Sequence, residues 1–269
     1  MKHFLLYLLC TLIFSCQKST DKQTPVSISN EEPIAKDNYI NSTATTILTR
    51  YNTPNGYTRD AYNKEDFGYH LQHLPLKPFG EKVMYYNGKE KNKTHVYSSV
   101  IDLPIGTKDL HQCADATMRL RADYLYQQKR YNEIAFNFIV DGKPRYYTDY
   151  ANGDYSPDKY WNYMEHIFNY ANTASLKQQL KTIVKSQVQI GDILIQSGNP
   201  VGHAVIVVDI AHNNKGDKIA LLAQSYMPAQ ELQILKNPQG KNNSPWYDIS
   251  SDVIVTPEWK FTSADWKTW

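Results

Sequence analysis

Three side chains far apart along the chain, Cys113, His203 and Gln224, have the types needed for acyl transfer through a thiolate. A cysteine sulfur is a strong nucleophile once ionised, an imidazole can take its proton, and an amide can hold that imidazole in one orientation. Cys113 is expected in the first turns of a helix, where the positive end of the helix dipole favours thiolate. His203 opens an apolar run directly after the turn-forming Gly198-Asn199-Pro200-Val201-Gly202, so its ring is expected at the rim of a sheet. Gln224 closes the apolar run Ile219 to Ala223, where a side-chain amide has to find a hydrogen-bond partner. Asp209, at even spacing from His203 on the same strand, is an alternative orienting group. Backbone N–H groups around Cys113, with the side chain of Gln112, are candidates for holding an oxyanion.

The elements that must position these groups follow from periodicity and turn residues. Thr107 and Asp109 offer a cap and first-turn acidity for a helix running to about Lys129. Cys113, Ala116, Thr117, Leu120 and Tyr124 fall on one face of it at helical spacing. Upstream, Phe67 to Leu76 predicts a short helix stopped by Pro75 and Pro78. Lys82 to Tyr86 and His95 to Asp102 predict two strands around Asn87-Gly88. Ile134 to Tyr150 predicts a hairpin around Asp141-Gly142, and Pro157 to Tyr170 and Ser175 to Lys185 predict two further helices. The last third reads as strands: Gly191 to Gln196, His203 to Ile210, and Lys218 to Tyr226 after the turn Asn213-Asn214-Lys215-Gly216. The middle strand is apolar on both faces and is expected to be central. This order predicts an α+β fold, with a helix carrying the cysteine packed on an antiparallel sheet.

The N-terminus explains why a lone thiol deserves weight. Phe4 to Phe14 is almost unbroken apolar sequence after Lys2 and His3, and it is too short to span a bilayer as a helix. Leu12-Ile13-Phe14-Ser15-Cys16 resembles a bacterial lipobox, which implies that Cys16 is lipidated and tethers the mature chain to a membrane. Of the three cysteines, Cys10 leaves with the signal and Cys16 carries lipid, so Cys113 has no intramolecular partner in an oxidising compartment. The expected organisation is a signal peptide over 1–16, a polar tether over 17–45, and a single α+β domain with an N-terminal elaboration over 46–269. The expected location is the cell envelope, lipid-anchored to the outer membrane on its periplasmic or surface face.

Other functions are disfavoured. A net charge of +2 gives no electrostatic footprint for nucleic acid. No CxxC or HExxH spacing predicts a metal site, although His111, Cys113, His203 and Asp209 are all possible zinc ligands. There is no glycine-rich phosphate loop, and no cofactor is expected. The 21 tyrosines, with Tyr160, Trp161, Tyr226 and Trp246, offer a rival function. On that reading the chain is a non-catalytic lipoprotein whose aromatic cleft binds a glycan or peptide.

Gly191-Asp192-Ile193-Leu194 and Gly202-His203-Ala204-Val205, downstream of a cysteine at a helix start, resemble the papain-like cell-wall peptidases and amidases of the NlpC and CHAP type. In place of the usual Asp-Cys-Ser triplet this chain has Gln112-Cys113-Ala114-Asp115. The resemblance implies a papain-like core, with Cys, His and a third polar residue acting in chain order. It also implies an amide substrate, for an envelope protein a peptidoglycan stem peptide or an extracellular peptide. The runs DLHQCADATMRLRADYLY, FNYANTASL, GHAVIVVD, LLAQSYMPAQE, SPWYDI and TPEWKF also resemble an uncharacterised family of bacterial lipoproteins, a domain of unknown function, over roughly Thr45 to the C-terminus. That family implies no activity.

Overall fold

The strand His203–Asn213 organises the molecule because it is buried on both faces over most of its length and pairs on both edges. A computed structural model describes residues 38–198 and 201–269, so Cys16, the signal and most of the tether lie outside the described residues. The elements before the sheet's centre are α1 (Ile47–Arg50), β1 (Tyr57–Thr58), α2 (Phe67–Gln72), β2 (Tyr97–Val100), α3 (Cys113–Gln127), β3 (Ala135–Asn137), β4 (Pro144–Tyr146), α4 (Tyr147–Ala151), α5 (Pro157–Tyr170), α6 (Thr173–Gln179) and β5 (Lys181–Thr182). The centre and the far side comprise β6 (Ile193–Gln196), β7 (His203–Asn213), β8 (Lys218–Gln224), β9 (Gln233–Leu235), β10 (Tyr247–Asp248), β11 (Val253–Val255), β12 (Lys260–Thr262) and β13 (Trp266–Thr268).

The main sheet runs β2-β9-β8-β7-β6-β13-β5, with β1 added to β7 and β10 to β8. Its strands pair antiparallel throughout. Helices α2 and α3 both pack against β7. The result is a mixed α+β fold with helices against an open sheet. The run Ala204 to Val208 is fully buried, as its unbroken apolar sequence requires. Gly191 introduces β6 with φ at +95°, and a Cβ there would meet the Phe67 ring at 2.6 Å. Both the conformation and the close approach call for glycine. No helix among the described residues is long and apolar enough to cross a membrane.

The structure revises several sequence expectations. The packed body reaches further toward the N-terminus than residue 46, since Tyr39 is buried and its carbonyl accepts from the Asn52 N–H. Met84 and Tyr85 make only isolated bridges, to Glu90 and Gln230, and β2 pairs with β9. A turn does close at Asn87-Gly88, with the Tyr85 N–H donating to the Lys89 carbonyl and the Lys91 N–H to that of Val83, but the two expected strands do not pair with each other. Helix α6 ends at Gln179, and Lys181–Thr182 joins the sheet edge beside β13. Thr107 and Asp109 do not open α3. The chain makes tight turns from Lys108 to Gln112, and Asp115 caps the helix by accepting from the Gln112 N–H at 3.0 Å. Cys113 thereby becomes the first residue of the helix, closer to its N-terminus than the sequence suggested.

Candidate active site

The first turn of an α-helix leaves N–H groups without intrahelical partners, and Cys113 sits among them. Its sulfur is approached by its own N–H, that of Ala114, and that of Ala204 on β7. These donors favour thiolate, but burial dominates and pushes the thiol up to about 11. The expectation that the helix dipole would yield a thiolate is thus corrected for the free protein. A cysteine only 6% exposed has lost more hydration than the dipole and three amides return.

Cys113 and Gln112 line a cavity of about 280 Å³, walled also by Asp115, Phe168, Thr173, Gly202 and Met227. Gln112 donates one amide hydrogen to Asp109 at 3.2 Å and has a second available. Its backbone N–H is taken by Asp115. Asp115 is buried, which raises its carboxyl to about 8, and among the described residues its Oδ1 has no hydrogen-bond partner.

His203 occupies the first position of β7 and is 1% exposed. Pairing of Ile206 with Ala223 carries Gln224 onto the same sheet face as His203. The His203 Nε2 and Gln224 Oε1 are 2.8 Å apart. Trp259, Phe261 and Tyr226 enclose the ring, with centroids at 5.2, 5.9 and 4.8 Å. Burial pulls the imidazole down to about 4, against opposing contributions from Gln224 and Glu258. Cys113 and His203 both adjoin the Ala204 peptide, but among the described residues no hydrogen bond joins them. In the free protein both groups are therefore neutral at pH 7.

Behind Gln224 stand two residues that sequence reasoning missed. The Gln224 amide nitrogen donates to Glu258 Oε2 at 2.9 Å, and Lys91 Nζ donates to the same oxygen at 3.0 Å. The Lys91 and Glu258 side chains are 2% and 8% exposed, so a buried ion pair ends a chain that begins at His203. Glu258 lies in the TPEWKF run, which offered a faint signal. Lys91, in a lysine-rich loop, offered none.

Asp209 has a different neighbourhood. Val207 pairs with Leu222 and Asp209 with Leu221, so Val208 is an extra residue, and this bulge turns Asp209 onto the face opposite His203. There it binds Arg59 at 2.7 Å and Gln72 at 2.8 Å. It does not orient His203. The four aromatics of the rival reading also separate. Tyr160 stacks on Tyr126 and Trp161 lies under Arg119, while Tyr226 meets His203 and Trp246 meets Arg59. Among the described residues no three His, Cys, Asp or Glu side chains converge as metal ligands, so His111, Cys113, His203 and Asp209 do not form the zinc set considered from sequence.

A cysteine at a helix start, a buried histidine–glutamine pair and an adjoining cavity on an open antiparallel sheet define the class of molecule that the geometry allows. The chain belongs to the family described as Domain of unknown function (4846), whose match covers residues 47–156 and 145–268. No curated protein and no solved structure matches the chain.

Proposed function

We propose that the protein is an envelope lipoprotein with cysteine amidase or peptidase activity on a papain-like (NlpC/CHAP-type) core. The observation that carries this reading is the His203–Gln224 hydrogen bond, made by the residue that precedes Ala204, whose backbone N–H meets the Cys113 sulfur. In this reading His203 takes the Cys113 proton as the sulfur attacks an amide carbonyl, with the oxyanion held by first-turn N–H groups and Gln112. The C–N bond breaks, the proton passes from His203 to the leaving amine, and a thioester remains. Water attacks the thioester with His203 again as base, releasing the acid and restoring the thiol.

Because thiol and imidazole are both neutral at rest, proton transfer accompanies attack and does not precede it. The candidate substrates are peptidoglycan stem peptides or extracellular peptides, and the anchor is lipid on Cys16 at the outer membrane. The test incubates the full chain with peptidoglycan fragments and looks for amine release and for an acyl adduct on Cys113 by mass spectrometry. Loss of both in Cys113→Ala and His203→Ala, with folding preserved, is the expected result.

The buried, neutral thiol favours one rival, a glycan- or peptide-binding lipoprotein that uses the same cavity without turnover. Fragment binding that Cys113→Ala leaves intact, with no adduct in wild type, would replace the hydrolase by that rival.

A further inference from the structure

A histidine that serves as base must carry its proton on the nitrogen that does not accept the next one, and a neutral imidazole is free to choose either tautomer. Glutamine does not settle the choice alone, because its amide can present oxygen or nitrogen to the ring. The residue that settles it must accept only. Glu258 meets that requirement, since an ionised carboxylate has no hydrogen to offer. Lys91 Nζ stands 3.0 Å from the same oxygen that receives Gln224, and Lys93 Nζ 3.6 Å from the other oxygen.

We propose that the buried Lys91–Glu258 pair is a tautomer lock for His203. Glu258 Oε2 obliges Gln224 to turn its NH₂ toward the carboxylate, at 2.9 Å. Gln224 Oε1 then faces His203 Nε2 at 2.8 Å, and two acceptors cannot share a hydrogen bond, so Nε2 carries the proton. The lone pair is left on Nδ1. Glu258 touches neither the ring nor the cavity lining, which makes it a positioning residue. The arrangement also explains why an ion pair with a large desolvation cost is kept under the sheet when an apolar pair would pack as well. A neutral amide relays the preference of a charge without bringing that charge against the imidazole.

This inference rests on the reading of His203 as the base, and its test needs no turnover. Long-range ¹⁵N–¹H spectra of the labelled full chain at pH 7 report the protonation of each His203 ring nitrogen. Wild type is expected to show an N–H-type Nε2 and a lone-pair-type Nδ1. Glu258→Gln should loosen that pattern, because its amide can offer Gln224 a hydrogen as well as an oxygen. Lys91→Met/Glu258→Leu removes acceptor and charge together, frees Gln224 to flip, and should shift the two resonances toward each other as both tautomers populate.

An Nδ1–H tautomer in wild type overturns the lock whatever the variants do. So does an unchanged spectrum in a folded Lys91→Met/Glu258→Leu protein. If the tautomer responds as expected but no Cys113 adduct ever forms, the lock stands and the hydrolase reading falls. If adducts form while the tautomer ignores Glu258, the hydrolase reading stands and the lock falls.

Discussion

Strand β7 carries two buried polar residues six positions apart, His203 at its start and Asp209 past the bulge, and the protein satisfies them in opposite ways. Asp209 meets its cation directly, with Arg59 at 2.7 Å and Gln72 closing the other oxygen. His203 meets no charge directly. An amide stands between it and the Lys91–Glu258 pair. A direct ion pair locks one protonation state and one packing arrangement, and here it clips the N-terminal segment and α2 to the sheet. An interposed amide fixes orientation while leaving the imidazole free to gain and lose a proton. The first arrangement suits a structural joint, and the second suits a group that has to titrate during a reaction.

Arg59→Met breaks the comparison at its strongest point. It strands the Asp209 carboxylate, which is 0% exposed on its side chain, and is expected to cost about 3–5 kcal/mol. Urea unfolding measures the loss, and adding Asp209→Leu should recover most of it. The alkylation rate of Cys113 in the folded fraction should not change, because Arg59, Gln72 and Asp209 form no hydrogen bond with Cys113 or His203 among the described residues. A loss below about 1 kcal/mol would mean that Asp209 is protonated in the fold and needs no partner.

The next test is pH. The His203 imidazole falls from 6.5 to about 4 on folding, so the folded state binds fewer protons than the unfolded chain between those values. Its contribution is fully present above pH 6.5 and is lost as pH falls through 4, by at most about 3 kcal/mol. Asp115 moves the other way, raised by burial from 3.8 to about 8, so its contribution is full below pH 3.8 and is lost as pH rises through 8. Unfolding free energies from pH 4 to 8 for wild type, His203→Phe and Asp115→Asn separate the two. The wild-type advantage over His203→Phe should grow with pH, and that over Asp115→Asn should shrink. Parallel curves for His203→Phe and wild type would show that the ring titrates normally.

Gln224→Met sharpens the contrast with the smallest effect. It leaves the His203 Nε2–H unpaired but strands no charge, since Glu258 keeps Lys91. The expected cost is about 2 kcal/mol, less than that of Arg59→Met, and calorimetry measures both. Equal losses would mean that the amide link carries as much stability as the ion clip, and the division between the two regions would fail.

Much of the site's chemistry was legible from residue types. An unpaired thiol, a histidine opening an apolar strand and a glutamine in an apolar run each contradict their surroundings, and a contradiction of that kind is visible one residue at a time. The β7–β8 hairpin was legible, because the turn at 213–216 sets the pairing from His212 to Asp209, but that register carried on would set Gln224 beside Ile206, on the face opposite His203, and only the bulge at Val208 moves it beside Val205 onto the same face. The face of Asp209 was not legible. A single extra residue at Val208 reverses the alternation, and no residue type there signals a bulge. The protonation of Cys113 was misjudged for a related reason, since helix polarity is local and can be read from sequence, whereas desolvation depends on everything packed around the sulfur.

Side-chain chemistry and neighbours a few residues away therefore set which groups can exchange protons and most of the segments that form helices and strands. Only the tertiary structure decided that Lys91 and Glu258, 167 positions apart, meet behind Gln224, and that burial makes the thiol and the imidazole neutral. Those outcomes depend on distances through space and on exclusion of water, which the order of residues along the chain does not encode locally.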